Sequence, residues 1–436
     1  MKRPRKASGK ASAAPSAPGK PVRSRRLPFE FPGANHYGRE EEAAVLRVMR
    51  ARSPFRYYGP KLQGEVEKFE AEFAARVGVR HALGVSSGTQ ALAVAMAAFG
   101  VGPGAEVIVP AYMWVSIIGA VVRLGAIPVL AEIDDSFTLD PRDLEARITP
   151  RSRLIVAVHM SGAPADLTRI LAVARRHKLP VLEDCAQGNG ATFRGRPVGG
   201  IGAMGIFSLQ LNKNMTTGEG GMVTTNSKLL CDRACAIHDL GYPRVGGRLV
   251  LKGGPLALWG FGGRMTELSG AIGRAQLRKL PRIVGNMRSA KRKIKAGIAD
   301  IPGLAFRRLN DEAGDSGAFL IVTLPSAEQA GEFARRLNAE NITVGLSPTV
   351  RVADFGMHVY YNIPALREKR SNSPDGSPWS LEANRESVYA YEKGAMPRSD
   401  ALMARSIILP VPSVMTPRDI DDVIRGFRKV AGVVLL

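Results

Sequence analysis

From about residue 80 onward, short apolar runs alternate with stretches whose apolar side chains recur at helical spacing. Residues 107–109, 127–130, 154–158 and 181–182 are compact, rich in β-branched side chains and bounded by polar or turn residues, which reads as buried strand. Alternation of such strands with helices predicts a parallel sheet covered on both faces, because parallel neighbours need a long crossover that packs back onto the sheet. Residues 205–208 and 221–225 close that sheet. Ahead of it, residues 39–50 and 63–75 predict two helices, the second setting Phe69 and Phe73 one turn apart on a core-facing stripe.

Past the sheet, residues 268–299 predict a long basic helix leading away from it. Strands at 318–324 and 406–411, with helices at 327–337 and 417–430, predict a small α+β domain. Three parts are therefore expected: a basic tail over 1–30, a large domain over 31–295 and a small domain over 296–436. The stretch 367–397, rich in Ser, Pro, Gly and charge, predicts a long loop bordering the substrate.

Charge sharpens this division. The net charge is +22, and residues 1–26 carry nine Lys or Arg and no acid. Such a segment buries too little apolar surface to order itself and attracts nucleic acid only nonspecifically. The positive charge elsewhere suits an anionic substrate. Three cysteines, Cys185, Cys231 and Cys235, lack Cys-x-x-Cys spacing, which argues against disulfides and structural zinc, so no metal is expected. The apolar stretch 115–122 is far shorter than the roughly 18 residues of a membrane span. With no apolar core in the basic N-terminus, a soluble cytoplasmic protein is expected. Gly200-Ile-Gly-Ala-Met-Gly205 matches a dinucleotide-binding glycine pattern but precedes a strand rather than a helix, and so reads as a turn.

The chemistry concentrates in two places. Lys213 lies in Phe207-Ser-Leu-Gln-Leu-Asn-Lys213-Asn-Met-Thr-Thr-Gly-Glu-Gly-Gly221, and Glu183-Asp184-Cys185-Ala186-Gln187 lies upstream at the end of an apolar run. Pyridoxal phosphate needs an amine to hold it as an imine, an acid against its ring nitrogen, donors for its phosphate and a flat side chain on its ring. Lys213 supplies the amine, Asp184 the acid and Gln187 a donor to the ring hydroxyl. Where the strand at His81 turns through Ser87, Gly88 and Thr89 into an alanine-rich helix, the helix N-terminus offers free N–H groups to the phosphate. Ser208 adds a hydroxyl, and Trp114 covers one ring face. Arg56 and Arg264 are candidates for a substrate carboxylate or phosphate, and His159 for the wall of the site.

These pieces, in this order, resemble the DegT-type sugar aminotransferase family, whose members have the type I aminotransferase fold and depend on pyridoxal 5'-phosphate. The similarity runs from about Gly59 to the C-terminus and includes Gly104-Ala-Glu-Val-Ile-Val-Pro110, Val158-His-Met-Ser-Gly162, Arg264-Met-Thr-Glu267 and Gln276-Leu-Arg-Lys-Leu280. It implies that Lys213 carries the cofactor, that Asp184, Gln187 and Trp114 hold its ring, and that Thr89, Gln90 and Ser208 hold its phosphate. It also implies a homodimer that moves an amino group from glutamate or glutamine to a keto or aldehyde carbon of a sugar, sugar acid or cyclitol. Ala131-Glu-Ile-Asp134, Gly314–Phe319 and Pro397–Arg405 are similar to the branch that makes an 8-amino-octulosonate. Dehydratases on the same scaffold have a histidine at the lysine position, so Lys213 argues against that alternative. The joint presence of Lys213, Asp184 and Gln187 argues against a noncatalytic regulator. Gly262 stands where many relatives have an asparagine that reaches the partner's cofactor phosphate.

Overall fold

The computed structural model describes residues 20–250 and 257–435. Its centre is a seven-stranded sheet of β1 (His81–Val85), β2 (Glu106–Pro110), β3 (Ile127–Ala131), β4 (Ser152–Val158), β5 (Val181–Asp184), β6 (Met204–Ser208) and β7 (Gly221–Thr225). The spatial order is β1-β7-β6-β5-β4-β2-β3. Pairings within β3-β2-β4-β5-β6 are all parallel, while β7 runs antiparallel to both β6 and β1. Strands β2, β3, β5, β6 and β7 are buried at every residue, as expected of a sheet covered on both faces. That is the mainly parallel, helix-flanked architecture expected from the sequence.

One covering layer includes the helix Gly88–Ala98, apolar on all sides and buried from Ala91 to Met96. The opposite layer includes Glu65–Val77, whose Phe73 meets both Phe69 and Phe207 of β6 edge-on. This helix begins at a cap from far along the chain. The buried carboxylate of Glu267 accepts the N–H groups of Glu65 at 2.7 Å and Val66 at 3.0 Å, placing negative charge at a helix N-terminus.

Glu267–Ile298 is one continuous 32-residue helix with Pro281 inside it. Its first half packs on the large sheet's outer layer, and Ala290, Ile294 and Ile298 enter the core of the small domain. The boundary expected at 295/296 therefore falls inside a helix shared by both domains. The small domain has a four-stranded antiparallel sheet, β8 (Ala305–Phe306), β9 (Phe319–Thr323), β10 (Val350–Arg351) and β11 (Ser406–Pro410), in the order β8-β9-β11-β10. Helices Ala327–Ala339 and Pro417–Val434 pack on it.

Two expectations are corrected. Residues 1–19 of the expected tail lie outside the described residues, but the stretch from Lys20 to Glu30 is a docked strap. Leu27 is 3 % exposed in the small-domain core and bridges Val344 in parallel. Arg23 pairs with Asp419 at 2.8 Å and Asp422 at 2.7 Å. One apolar residue among charges gives no periodic signal, which is why the strap reads as tail. The long loop 367–397 carries only one short 3₁₀ turn, Glu382–Asn384, inside it, and it covers the β2–β3 side of the sheet. Tyr391 Oη donates to Pro128 O at 2.7 Å, Asn384 Oδ1 accepts Gly104 N–H at 2.7 Å, and Ser387 and Tyr389 donate to buried Glu106. None of its residues lines the cavity described below. Among the described residues, no helix is long and apolar enough to cross a membrane.

Candidate active site

Strand ends converge on one cavity of about 510 Å³ at the carboxyl side of β5 and β6, bounded by the small domain. Asp184 closes β5, Ser208 closes β6, and Gly88 opens the helix after β1; all three line the cavity, as do Thr89, Trp114, Gln187 and Lys213. The turn bearing Lys213 is pinned on several sides. Lys213 N–H donates to Gln210 O at 3.0 Å, Lys213 O accepts Gly33 N–H at 3.1 Å, and Asn214 Nδ2 donates to Asn189 O at 2.7 Å.

Burial governs the charges here. It pushes the Asp184 carboxyl above its ordinary range, against the N–H of Ala186 and the positive charge of Lys213. It pushes the Lys213 ammonium below its ordinary range, against the charges of Asp184 and Glu219. The direction is what a nucleophilic amine needs, because the neutral form is the reactive one.

Gln187 is oriented by its surroundings. Its Oε1 accepts Ser161 N–H at 2.8 Å, so its amide nitrogen faces His358 Nε2 at 3.1 Å. His358 then accepts at Nε2 and donates from Nδ1 to Phe355 O at 3.0 Å. Burial lowers its pKa to about 4, keeping the ring neutral. It stacks on Phe355 at 4.2 Å and leans on Trp114 at 4.6 Å. His358 was not marked by the sequence reading: it sits outside the quoted motifs, and the fold delivers it from the small-domain side. Glu30, Ser116 and Glu219 also line the cavity; Glu219 lies inside the quoted Lys213 run, but nothing in its local pattern singles it out.

Four expected site residues are placed elsewhere in this chain. His159 is buried, shares Nε2 with Glu183 at 3.1 Å and accepts Ala165 N–H at Nδ1; it holds Glu183 rather than facing the cavity. Arg56 is committed to Glu70 at 2.8 and 3.0 Å and to Gly84 O. Arg264 Nη1 pairs with buried Asp239 at 2.6 Å. Gln90 gives its N–H to Ser87 Oγ and packs its side chain under Gly263. None of the four lines the cavity. Both arginines were paired by carboxylates distant in sequence, which no local motif reveals. The buried set His159, Glu183 and Cys185 has ligand atoms near one another, yet Glu183 already accepts from Gly199, Ile201 and Gly202, so it is a structural knot. Gly262 has φ +64° and open space where a side chain would project.

The sequence model of the DegT/DnrJ/EryC1/StrS aminotransferase family matches residues 37–353. The chain belongs to this family. It is similar to the spore coat polysaccharide biosynthesis protein SpsC of Bacillus subtilis (strain 168), 29% identical over 416 residues that cover 94% of this chain and 98% of that protein. Among solved structures it resembles DesV of S. venezuelae in complex with a ketimine intermediate, at 30% identity and TM-score 0.75, covering 94% of this chain and 99% of that one. It also resembles DesI in the presence of its TDP-sugar product, at 25% identity and TM-score 0.75, covering 95% of each chain. The protein is thus a pyridoxal phosphate-dependent aminotransferase of the sugar aminotransferase type, with the type I fold.

The cavity suits that cofactor. Helix geometry leaves the N–H groups of Gly88 and Thr89 without intrahelical acceptors, as an anion requires. A Cβ on Gly88 would stand 2.7 Å from Ser208 Cβ, so glycine lets the backbone N–H groups and the Ser208 hydroxyl close on the same small volume.

Proposed function

We propose that this enzyme transfers an amino group from glutamate or glutamine to a keto or aldehyde carbon of a sugar, sugar acid or cyclitol, with Lys213 and Asp184 as catalytic residues. One observation carries the assignment: a buried amine and a buried carboxylate share a cavity with a helix N-terminus. When bound, pyridoxal phosphate supplies an electron sink for the charge that develops next to the transferred nitrogen. Asp184 holds a proton on the ring nitrogen, a role that relieves its own burial. Lys213 Nζ would move the proton from the donor's α-carbon to the cofactor's C4′ carbon, and in the acceptor half-reaction from C4′ to the acceptor carbon. Gln187 offers its remaining amide proton to the ring hydroxyl, Trp114 shields one ring face, and Gly88, Thr89 and Ser208 receive the phosphate. Resemblance to SpsC favours an amino sugar destined for a polysaccharide, and the octulosonate branch is one version of that reading.

A homodimer with its sites near the interface fits the surface. Trp259 is 92% exposed and Val245 72%, and Leu258 is tied to Gly241 beside the hairpin at Arg244–Leu249. Apolar exposure of that kind marks a contact surface, and Gly262 and Arg264 follow directly. A cytoplasmic location fits three free cysteines.

The test is chemical. Borohydride reduction of the holoenzyme followed by peptide mapping should place the cofactor on Lys213, and glutamate or glutamine should bleach the absorbance of the untreated holoenzyme. Lys213→Ala should lose both the covalent attachment and turnover. Asp184→Asn should keep the attachment and slow proton transfer by orders of magnitude, since a neutral amide cannot hold the ring proton in a desolvated site. Attachment to a different lysine would overturn the assignment.

A further inference from the structure

The chain that follows the strap is fastened to the turn bearing Lys213. Gly33 N–H donates to Lys213 O at 3.1 Å, and Tyr37 Oη donates to Thr216 O at 3.0 Å. Gly33 lies so close to this turn that a Cβ on it would stand 2.8 Å from Met215 Cα and 2.9 Å from both Thr216 N and Gln276 Oε1. Two of those three atoms are backbone and cannot swing aside, so only glycine allows the approach. Asn214 Nδ2 holds the same turn from another direction by donating to Asn189 O at 2.7 Å. Residues 213–217 are therefore clamped between the loop after β5 and segment 32–37.

That segment is itself fastened to the small domain and to the long shared helix. Ser413 lies just past β11; its hydroxyl donates to Pro32 O at 2.9 Å, so its oxygen accepts from His36 Nε2 at 3.1 Å. His36 Nδ1 then accepts from Arg282 Nη2 at 3.0 Å, an arrangement that only the neutral ring can make. Burial and the charges of Arg282 and Lys279 hold the His36 pKa below its ordinary value, which keeps the ring in that form. Lys279 Nζ donates to His36 O at 2.9 Å and pairs with Glu41 at 2.7 Å. A continuous path thus runs from Ser413 through Pro32 and Gly33 to the carbonyl of Lys213.

We propose that segment 32–37 is a positioning latch for the catalytic amine: through Gly33 and Tyr37 it sets the backbone of residues 213–217, and through Pro32 and His36 it ties that setting to the docking of the small domain. Neither Gly33 nor Tyr37 lines the cavity, so both act on the reaction through Lys213. The proposal rests on Lys213 carrying the cofactor, as proposed above. The reactivity of a held amine depends steeply on its placement, a shift of about 1 Å costing on the order of a hundredfold.

Two forms of the cofactor separate placement of the amine from integrity of the cavity. Pyridoxal phosphate condenses with Lys213: Nζ adds to the aldehyde carbon, a C=N bond forms and the aldehyde oxygen leaves as water. Pyridoxamine phosphate has no aldehyde and binds without that bond. Apoenzyme is mixed with each, the condensation rate being read from absorbance and the pyridoxamine phosphate affinity from calorimetry; the donor half-reaction and the donor dissociation constant are then measured with glutamate or glutamine. Tyr37→Phe should slow condensation and the donor half-reaction about two- to tenfold, the span of one neutral hydrogen bond. Gly33→Ala should slow them about ten- to a hundredfold. In both, pyridoxamine phosphate affinity and the donor dissociation constant should stay at the wild-type values. If Gly33→Ala does not fold, Tyr37→Phe decides. An unchanged condensation rate in Tyr37→Phe, or pyridoxamine phosphate affinity lost in step with the rates, would overturn the proposal. Ser413→Ala should slow condensation in the same way, and unchanged rates there would overturn the tie to the small domain. Failure of the reading on which this rests shows separately, as a wild-type protein that forms no covalent adduct at Lys213.

Discussion

His238 shows how much a single buried ring can fix. It ends the helix Lys228–His238, donates from Nδ1 to Cys235 O and accepts the Tyr57 hydroxyl at Nε2, at 3.1 Å. Burial, aided by the nearby charge of Arg56, depresses its pKa from 6.5 to about 4. Between those values the unfolded chain binds the proton that the folded chain refuses, so stability is full above pH 6.5 and declines as pH falls towards 4. The decline attributable to this ring is at most roughly 3 kcal/mol. Denaturant titrations between pH 7 and pH 4.5 should show a shallower acid loss in His238→Gln than in wild type, and equal slopes would refute the assignment. At this scale the sequence is legible where chemistry is local. Asp184 ends one strand and Lys213 stands in the turn after the next, a short way along the chain, whereas His358 and Glu30 join the site only after the small domain and the strap have docked.

The helix Gly88–Ala98 was recognisable as an element because a strand, a Ser-Gly-Thr turn and an alanine run follow one another without interruption. Its function rests on its first residue. Gly88→Ala would press a methyl into Ser208, neither partner being a flexible chain end. Overpacking of this kind costs about 1–3 kcal/mol of folding stability, so thermal unfolding of the apoenzyme should shift downward, and titration of the apoenzyme should show cofactor affinity reduced about tenfold or more because the helix start and Ser208 are pushed apart. Equal affinity would mean that the phosphate lies elsewhere. The loop 367–397 teaches the opposite lesson. Its composition correctly predicts irregular backbone, but composition holds no information on where a loop docks. Buried Glu106, with Arg151 at 3.0 Å and hydroxyls from Ser387 and Tyr389, fixes that loop to the sheet, outside the lining of the cavity.

Two domains share one long helix, and the strap joins them a second time. Removal of residues 1–19 should leave turnover unaltered, while removal through Arg26 would sever the Arg23 pairs with Asp419 and Asp422. Leu27→Ala should cost about 2–5 kcal/mol, the range for a buried leucine, measured by denaturant unfolding; a loss below about 1 kcal/mol would mean that the strap is only loosely held. The strap also has a consequence for biosynthesis. It leaves the ribosome ahead of both domains, yet its partners at Val344, Asp419 and Asp422 are made more than three hundred residues later, so these contacts have very high sequence separation and form late. Throughout synthesis Leu27 waits in solvent and the wall that Glu30 supplies is missing. A nascent chain stalled before residue 419 should therefore expose the strap around Leu27 to protease even after the large sheet has formed, and release of the finished chain should protect those bonds.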